Sequence, residues 1–146
     1  MITLRKAAVE DIETLLRIEK SVSNLKTYSA MLTEEEWKEE FSKSVVYLIE
    51  KDGVAIGDIS YELKADNHAY LSGFAIIPKF QGQGIGSEVL KKVFAELDKM
   101  RRIDLTVHPH NIHAIMLYLS FGFIIESWKE NYFGDGEPRI ILAKEK

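Results

Sequence analysis

A length of 146 residues fits one domain, 1–146, with enough chain for a substantial core and little room for a second unit. With 46% hydrophobic residues, 29% charged residues and a net charge of −4, the composition is that of a globular protein without the basic field that nucleic-acid binding needs. The absence of cysteine excludes disulfides, thiolate metal sites and cysteine nucleophiles.

The opening Met1-Ile2-Thr3-Leu4-Arg5-Lys6 lacks the apolar stretch of a signal peptide, and no apolar run reaches the length of a membrane span. The expectation is a cytoplasmic protein with neither membrane nor nucleic-acid partner. Ile2 to Arg5 reads as a short strand. Asp11 precedes Ile12, Leu15, Leu16 and Ile18, which fit one side of a helix that frays near Ser21 to Asn24. Thr33 and Glu36 have capping-box spacing at the start of a second helix, with Trp37 and Phe41 on its inner face.

Val45 to Glu50 is a predicted strand, Asp52-Gly53 a hairpin turn, and Val54 to Leu63 the return strand. A turn at Lys64 to Asn67 leads to a third strand, His68 to Ile77, ended by Pro78. From Gly84 to Met100 the apolar positions 85, 89, 90, 93, 94 and 97 have helical spacing. Ile103 to Val107 is a strand. Asn111 to Phe121 is a helix with Ala114, Leu117, Tyr118 and Phe121 on one face. Strands near Phe123 to Trp128 and Arg139 to Ala143 close the chain around a Gly134-Asp135-Gly136 loop. Lys99-Met100-Arg101-Arg102 is the densest basic stretch and reads as cations at a helix end. The order β-α-α-β-β-β-α-β-α-β-β predicts an α/β (α+β) fold, a mixed central sheet of about seven strands with helices on both faces.

Between the third hairpin strand and its helix lies Pro78-Lys79-Phe80-Gln81-Gly82-Gln83-Gly84-Ile85-Gly86-Ser87. Alternating glycines remove Cβ atoms where an anion could approach the main chain, and the free N–H groups of the first helical turn point at it. A Walker loop is excluded because the turn ends Gly86-Ser87-Glu88 rather than Gly-Lys-Ser/Thr. A Rossmann fingerprint is disfavoured: position 87 is Ser, and the turn follows a hairpin series. A glycine-rich connector with packing duties alone stays open on this turn by itself.

Gln81-x-x-Gly84-x-Gly86 after an apolar strand and Pro78 resembles the acetyl-CoA motif of the GNAT superfamily of N-acetyltransferases. Arg5-Lys6-Ala7 with Asp11 resembles that family's opening strand and helix. Asn111-x-x-Ala114-x-x-x-Tyr118 with Phe121-Gly122-Phe123 resembles its second CoA-side motif. Tyr132-Phe133-Gly134-Asp135-Gly136-Glu137 resembles the final hairpin of members that acetylate protein N-termini, the ribosomal-protein-alanine branch. The likeness runs through nearly the whole chain in the family's element order, and it is weak on substrate.

The resemblance implies a GNAT fold, acetyl-CoA as co-substrate and transfer of its acetyl group to a primary amine, on a small molecule or a protein N-terminus. It implies a bulged strand whose backbone at Phe74, Ala75 and Ile76 meets the pantetheine arm, with Gly73 permitting the bulge. Gln81 and backbone N–H groups of Gly82, Gln83, Gly84, Ile85, Gly86 and Ser87 would hold the pyrophosphate. Tyr118 matches the family's proton donor to the thiolate, and its alignment with Asn111 favours that role over packing of the ring alone. Asn111 matches a CoA-side hydrogen-bonding residue and suits a helix N-cap equally.

Thr106 stands where related enzymes often place a basic Glu, and Thr cannot serve as a base at neutral pH. His108 is slightly favoured as the base, with Glu62 and a water chain as alternatives. Tyr28 and Tyr132 are expected at the acceptor amine. The acidic surface Glu34, Glu35, Glu36, Glu39 and Glu40 reads as a solvated helix face. His108, His110 and His113 lack zinc-site spacing, so no metal is expected. A homodimer is compatible with this reading. The competing function is a non-catalytic acyl-CoA sensor on the same fold.

Overall fold

In the computed structural model, which describes residues 1–146, the apolar alternation of the hairpin region is resolved into one sheet. The strands are β1 (Ile2–Lys6), β2 (Ser44–Lys51), β3 (Val54–Lys64), β4 (His68–Ile76), β5 (Arg102–Val107), β6 (Ile124–Lys129) and β7 (Arg139–Glu145). The helices are α1 (Ile12–Ser21), α2 (Glu34–Lys43), α3 (Ile85–Glu96) and α4 (Ile112–Ser120), with single 3-10 turns at Val9–Asp11 and Pro78–Phe80. The predicted element order and seven-stranded mixed sheet stand. The largest boundary change is at α3, which stops at Glu96: the chain turns at Leu97 to enter β5.

The strand order is β1-β2-β3-β4-β5-β7-β6, and every pairing is antiparallel except β4 with β5. The β2–β3 turn has Asp52 at φ 51° and Gly53 at φ 82°, the left-handed pair that joins strands of right-handed twist. Thr33 caps α2 by accepting the Glu36 N–H, and the Glu36 carboxylate accepts the Thr33 N–H in return.

Two apolar layers sandwich the sheet. On one face α1 and α2 pack Ile12, Leu15, Ile18, Val22 and Trp37 against Val46, Leu48 and Ala75. On the other, α3 and α4 bury Val89, Leu90, Val93, Ile115 and Tyr118 against strand residues such as Ile59, Leu71, Leu105 and Leu142. A satellite bond ties α3 to the hairpin: the Glu96 carboxylate accepts the hydroxyls of Tyr47, at 2.7 Å, and of Tyr61.

One irregularity in the sheet positions the site. Ser60 pairs with Gly73 but Tyr61 with Leu71, so Ser72 is an extra residue in β4. Parallel pairing of β4 with β5 ends at Leu71 and Leu105. Beyond that point β4 follows β3 while β5 follows β7, and the sheet splits open.

Candidate functional site

Two openings lie in the split. The larger, about 570 Å³, runs from the β4 edge at Phe74, Ala75 and Ile76 to the glycine turn and the first residues of α3, with α4 as its far wall. The smaller, about 120 Å³, lies between Leu71–Phe74 and Leu105–His108, roofed by Phe133 and Arg139. They share Thr27, Tyr28, Phe74, Asn111 and Ala114, so they meet between β4 and the start of α4.

The glycine turn has the geometry of an anion cradle. Gly82 and Gly84 take φ of 76° and 79°, and Gly84 is the left-handed N-cap of α3. The first main-chain bond into the helix is from Glu88 N to Gly84 O at 3.2 Å, so N–H groups from Gly82 through Ser87 donate to no protein carbonyl. A Cβ at Gly82 or Gly84 would project into open space. One at Gly86 would lie 3.6 Å from Leu117 and 3.7 Å from Phe74, on the floor of the large groove. Gln81 and Gln83 hold the turn from outside, donating to Ile76 O at 2.8 Å and Lys79 O at 3.2 Å. Gln81 also lines the groove, whereas the Gln83 side chain faces Lys51, so only its backbone can serve an anion. This is a seat for an elongated ligand with a central anion and an apolar arm that follows an unpaired strand edge.

Asn111 caps α4, its Oδ1 accepting the Ala114 N–H at 3.3 Å, and still lines both openings. Its capping and site-lining roles therefore coexist. Tyr118, two helical turns on, is 6% exposed and lines the smaller pocket, and its hydroxyl has no protein partner. Burial pushes its pKa above the ordinary tyrosine value, so the phenol keeps its proton through the neutral range.

The acetyltransferase (GNAT) family model matches residues 9–123. The chain belongs to the GNAT acetyltransferase family. It is 40% identical over 77 residues to spermine/spermidine N(1)-acetyltransferase of Bacillus subtilis, covering 49% of this chain and 51% of that one. It is 37% identical over 82 residues to the [ribosomal protein bS18]-alanine N-acetyltransferase of Escherichia coli, covering 53% and 55%. The matches thus span about half the length of these curated relatives. The solved ribosomal-protein-S18-alanine N-acetyltransferase from Escherichia coli superposes with a TM-score of 0.84 at 23% identity, covering 99% of this chain and 94% of that one. A GNAT family acetyltransferase from Elizabethkingia anophelis, solved with acetyl-CoA bound, gives 0.77 at 19% identity, covering 99% and 98%. At these identities the structural matches establish the fold.

Within this GNAT fold, several residues expected at the acceptor site are placed differently. His108 is buried, its Nε2 lies 2.6 Å from Glu137 Oε1, and its Nδ1 accepts the His110 N–H at 3.0 Å. The accepting Nδ1 fixes the proton of the neutral ring on Nε2, where it is donated to Glu137. Both nitrogens are engaged, so His108 has no free lone pair for an amine proton; it anchors the Glu137 loop. That bond holds the Glu137 carboxyl below its usual range. Glu62 sits on β3 opposite Ser44 and Tyr70 and lines neither opening. Tyr132 is 42% exposed and packs edge-on against Phe133; Phe133, the next residue, is the one that roofs the pocket. Tyr28 lies at the junction of the two openings.

Three acids that the sequence reading did not place at the site stand behind the pocket, all buried: Glu19, Asp58 and Glu40, the last expected on a solvated helix face. They left a trace in the sequence. Glu19 occupies an inward position of α1 between Leu15 and Val22, and Asp58 interrupts the apolar strand Ile56 to Tyr61. A charge on a buried face is the deviation that marks a functional candidate.

Proposed function

We propose that this protein transfers the acetyl group of acetyl-CoA to a primary amine by direct attack in a ternary complex. The observation that carries this reading is the meeting of two differently built openings at Tyr28, Phe74 and Asn111, with Tyr118 in the wall of the smaller one. A groove with a glycine-rich anion cradle joins a small pocket whose wall carries a proton donor with no protein partner. In this reading the pyrophosphate rests on N–H groups of Gly82 through Ser87. The pantetheine arm follows Phe74, Ala75 and Ile76, and the amine enters between Ser72 and Thr106. A main-chain N–H of the split β4 edge polarises the thioester carbonyl. Tyr118 gives its proton to the departing thiolate.

Supporting the acceptor class are the pocket's small volume and its lack of an unpaired cation. Arg139, the base in its roof, is held by Asp135 at 3.1 Å and covers the Phe133 ring. A slender ammonium end fits such a site. Two of the matched relatives are named for amine acceptors, one for spermine and spermidine and one for an alanine of ribosomal protein bS18.

Acetyl-CoA is expected to raise the melting temperature, since a ligand at about 100 times its Kd stabilises the native state by about 2.7 kcal/mol. NAD and ATP are expected to give no shift. An amine panel read by CoA release then separates enzyme from sensor: a sensor shows the thermal shift and releases no CoA with any amine. A shift with NAD and none with acetyl-CoA would remove the acetyl-CoA reading.

Gly86→Val is expected to weaken CoA binding by about tenfold or more, about 1.4 kcal/mol, because the added branch fills the groove floor between Phe74 and Leu117. Gly84→Val is expected to lose stability as well, since a β-branched residue is strained at φ 79°. Circular dichroism of both, with calorimetric titration of CoA, checks this. Wild-type affinity in a folded Gly86→Val protein would place the pyrophosphate elsewhere.

A further inference from the structure

Glu19 on α1, Glu40 on α2 and Asp58 on β3 are 0%, 6% and 1% exposed, and the fold brings all three behind the bulge in β4. None of the chain's ion pairs includes them. Burying carboxyls without a cation is expensive, and packing alone has no use for them.

Their hydrogen bonds lead to the acceptor pocket. The Tyr28 hydroxyl donates to Glu19 Oε2 at 3.1 Å, while the Met31 N–H donates to Oε1 at 2.9 Å. Ser72, the bulge residue, donates to Glu40 Oε2 at 2.6 Å and lies 3.0 Å from the Ser60 hydroxyl. Tyr28 and Ser72 both line the pocket. No donor of the protein reaches either oxygen of Asp58, whose neighbour is the Glu19 carboxyl, itself an acceptor. Two facing carboxyls without a cation share a proton. Protonated Asp58 donating to ionised Glu19 satisfies both, and it leaves Glu19 with the Tyr28 hydroxyl in front of it.

The other titratable groups around this pair are Glu36 and Glu40 from α2, Tyr28 from the segment after α1, and Tyr118 from α4 on the far side of Tyr28. None is a cation. Burial, the largest influence, raises the pKa of both carboxyls above the ordinary carboxylate value.

We propose that Tyr28 and Glu19 form the proton-acceptor path for the amine: the Tyr28 hydroxyl takes a proton from the bound ammonium as it passes its own to the Glu19 carboxylate. This rests on the N-acetyltransferase reading above. The ammonium N–H bond breaks as an O–H bond forms on Tyr28, and the original Tyr28 O–H breaks as one forms on Glu19 Oε2. Tyr28 is neutral before and after, Glu19 becomes a carboxylic acid, and the amine gains the lone pair that attacks the thioester. After product release Glu19 returns its proton to water by the same path. Asp58 is a positioning residue, holding Oε2 of Glu19 toward Tyr28. The negative charge behind the pocket also favours an acceptor that arrives as a cation.

The test compares wild type, Glu19→Gln and Tyr28→Phe across pH, using acetyl-CoA with spermidine, ethylamine or a peptide with N-terminal alanine, whichever is turned over. At neutral pH both variants are expected to lose about 10²-fold or more in kcat/KM, the usual scale of lost acid–base catalysis. The loss should shrink as the pH approaches the acceptor's own ammonium pKa, because a free amine needs no base. Wild type should lose activity as pH falls through the raised Glu19 pKa, and the variants should lack that limb. The thermal shift with acetyl-CoA should persist in both. A loss of the same size at every pH would reduce Glu19 and Tyr28 to structural residues and overturn the proposal, as would an unchanged rate at neutral pH. If Glu19→Gln fails to fold, Tyr28→Phe, which deletes one oxygen, carries the comparison alone. Absence of CoA release by wild type with all three acceptors would overturn the N-acetyltransferase reading itself, a different failure from the other two.

Discussion

Tyr118→Phe is expected to lower kcat by about 10²–10⁴-fold while leaving acetyl-CoA affinity nearly unchanged. The substitution keeps the ring, which packs edge-on against Phe123 with centroids 5.7 Å apart inside the α3–α4 core. It deletes a hydroxyl that has no protein partner, so no buried group is left unsatisfied and the fold should be unperturbed. On the proposed mechanism, what disappears is the proton for the departing thiolate. Because burial raises the Tyr118 pKa, the wild-type rate should stay high into alkaline pH, and the alkaline limb should move or vanish in the Phe variant. Stopped-flow CoA release, with acetyl-CoA affinity by calorimetry, separates the two quantities. An unchanged kcat where chemistry limits turnover would mean that water or the substrate protonates the thiolate. A variant with weakened acetyl-CoA binding and normal kcat would make Tyr118 a binding residue.

The sequence carried the fold well because its signals were local. Asp52-Gly53 fixed one hairpin, Thr33 with Glu36 fixed the start of α2, and the glycine turn marked the strand-to-helix joint that became the anion cradle. The family resemblance supplied the pairing of that turn with Asn111 and Tyr118, which the split sheet now brings to one groove and pocket. What stayed hidden depends on register and on contacts between distant segments. The residue that bulges is Ser72 rather than Gly73 itself, a matter of which β3 residue each pairs with. His108 has the residue type of a base, and only the fold shows Glu137 and the His110 N–H occupying its two nitrogens. Phe133 and Tyr132 are adjacent, and loop geometry alone decides which one roofs the pocket. Glu40 reads as part of an acidic solvated helix face, yet α2 turns it inward beside Trp37 to meet Ser72. Composition along one helix cannot show which glutamate faces the sheet when the helix has only two large apolar residues to define its buried side.

Trp37→Ala is expected to destabilise the protein by about 3–5 kcal/mol, roughly a fifth or more of the about 5–15 kcal/mol by which domains of this kind are stable. Trp37 is fully buried in the α1–α2 layer among Ile12, Leu15, Ile18, Val46 and Leu48 and lies 6.3 Å from the Phe41 ring. Its Nε1 has no hydrogen-bond partner, so the loss is apolar contact and cavity, with no polar compensation in either direction. The midpoint of thermal unfolding should fall by roughly 10 °C, at about 2–4 °C per kcal/mol for a chain of this size. Leu63→Ala serves as the control: Leu63 is 54% exposed, and its substitution should stay within about 0.5 kcal/mol. Urea unfolding at constant m-value checks both. The two faces of the sheet should then part company. The glycine turn and the α3 and α4 walls of the large groove lie away from Trp37, although Val22 and Tyr28 of the α1–α2 layer also line it, so folded Trp37→Ala protein should still show the thermal shift with acetyl-CoA. Catalysis should suffer more than binding, because α1 and α2 carry Glu19 and Glu40 to the back of the acceptor pocket. A loss below about 1 kcal/mol would mean that this layer collapses around the missing ring. Loss of the acetyl-CoA shift at temperatures where the variant is folded would mean that the groove depends on the α1–α2 face.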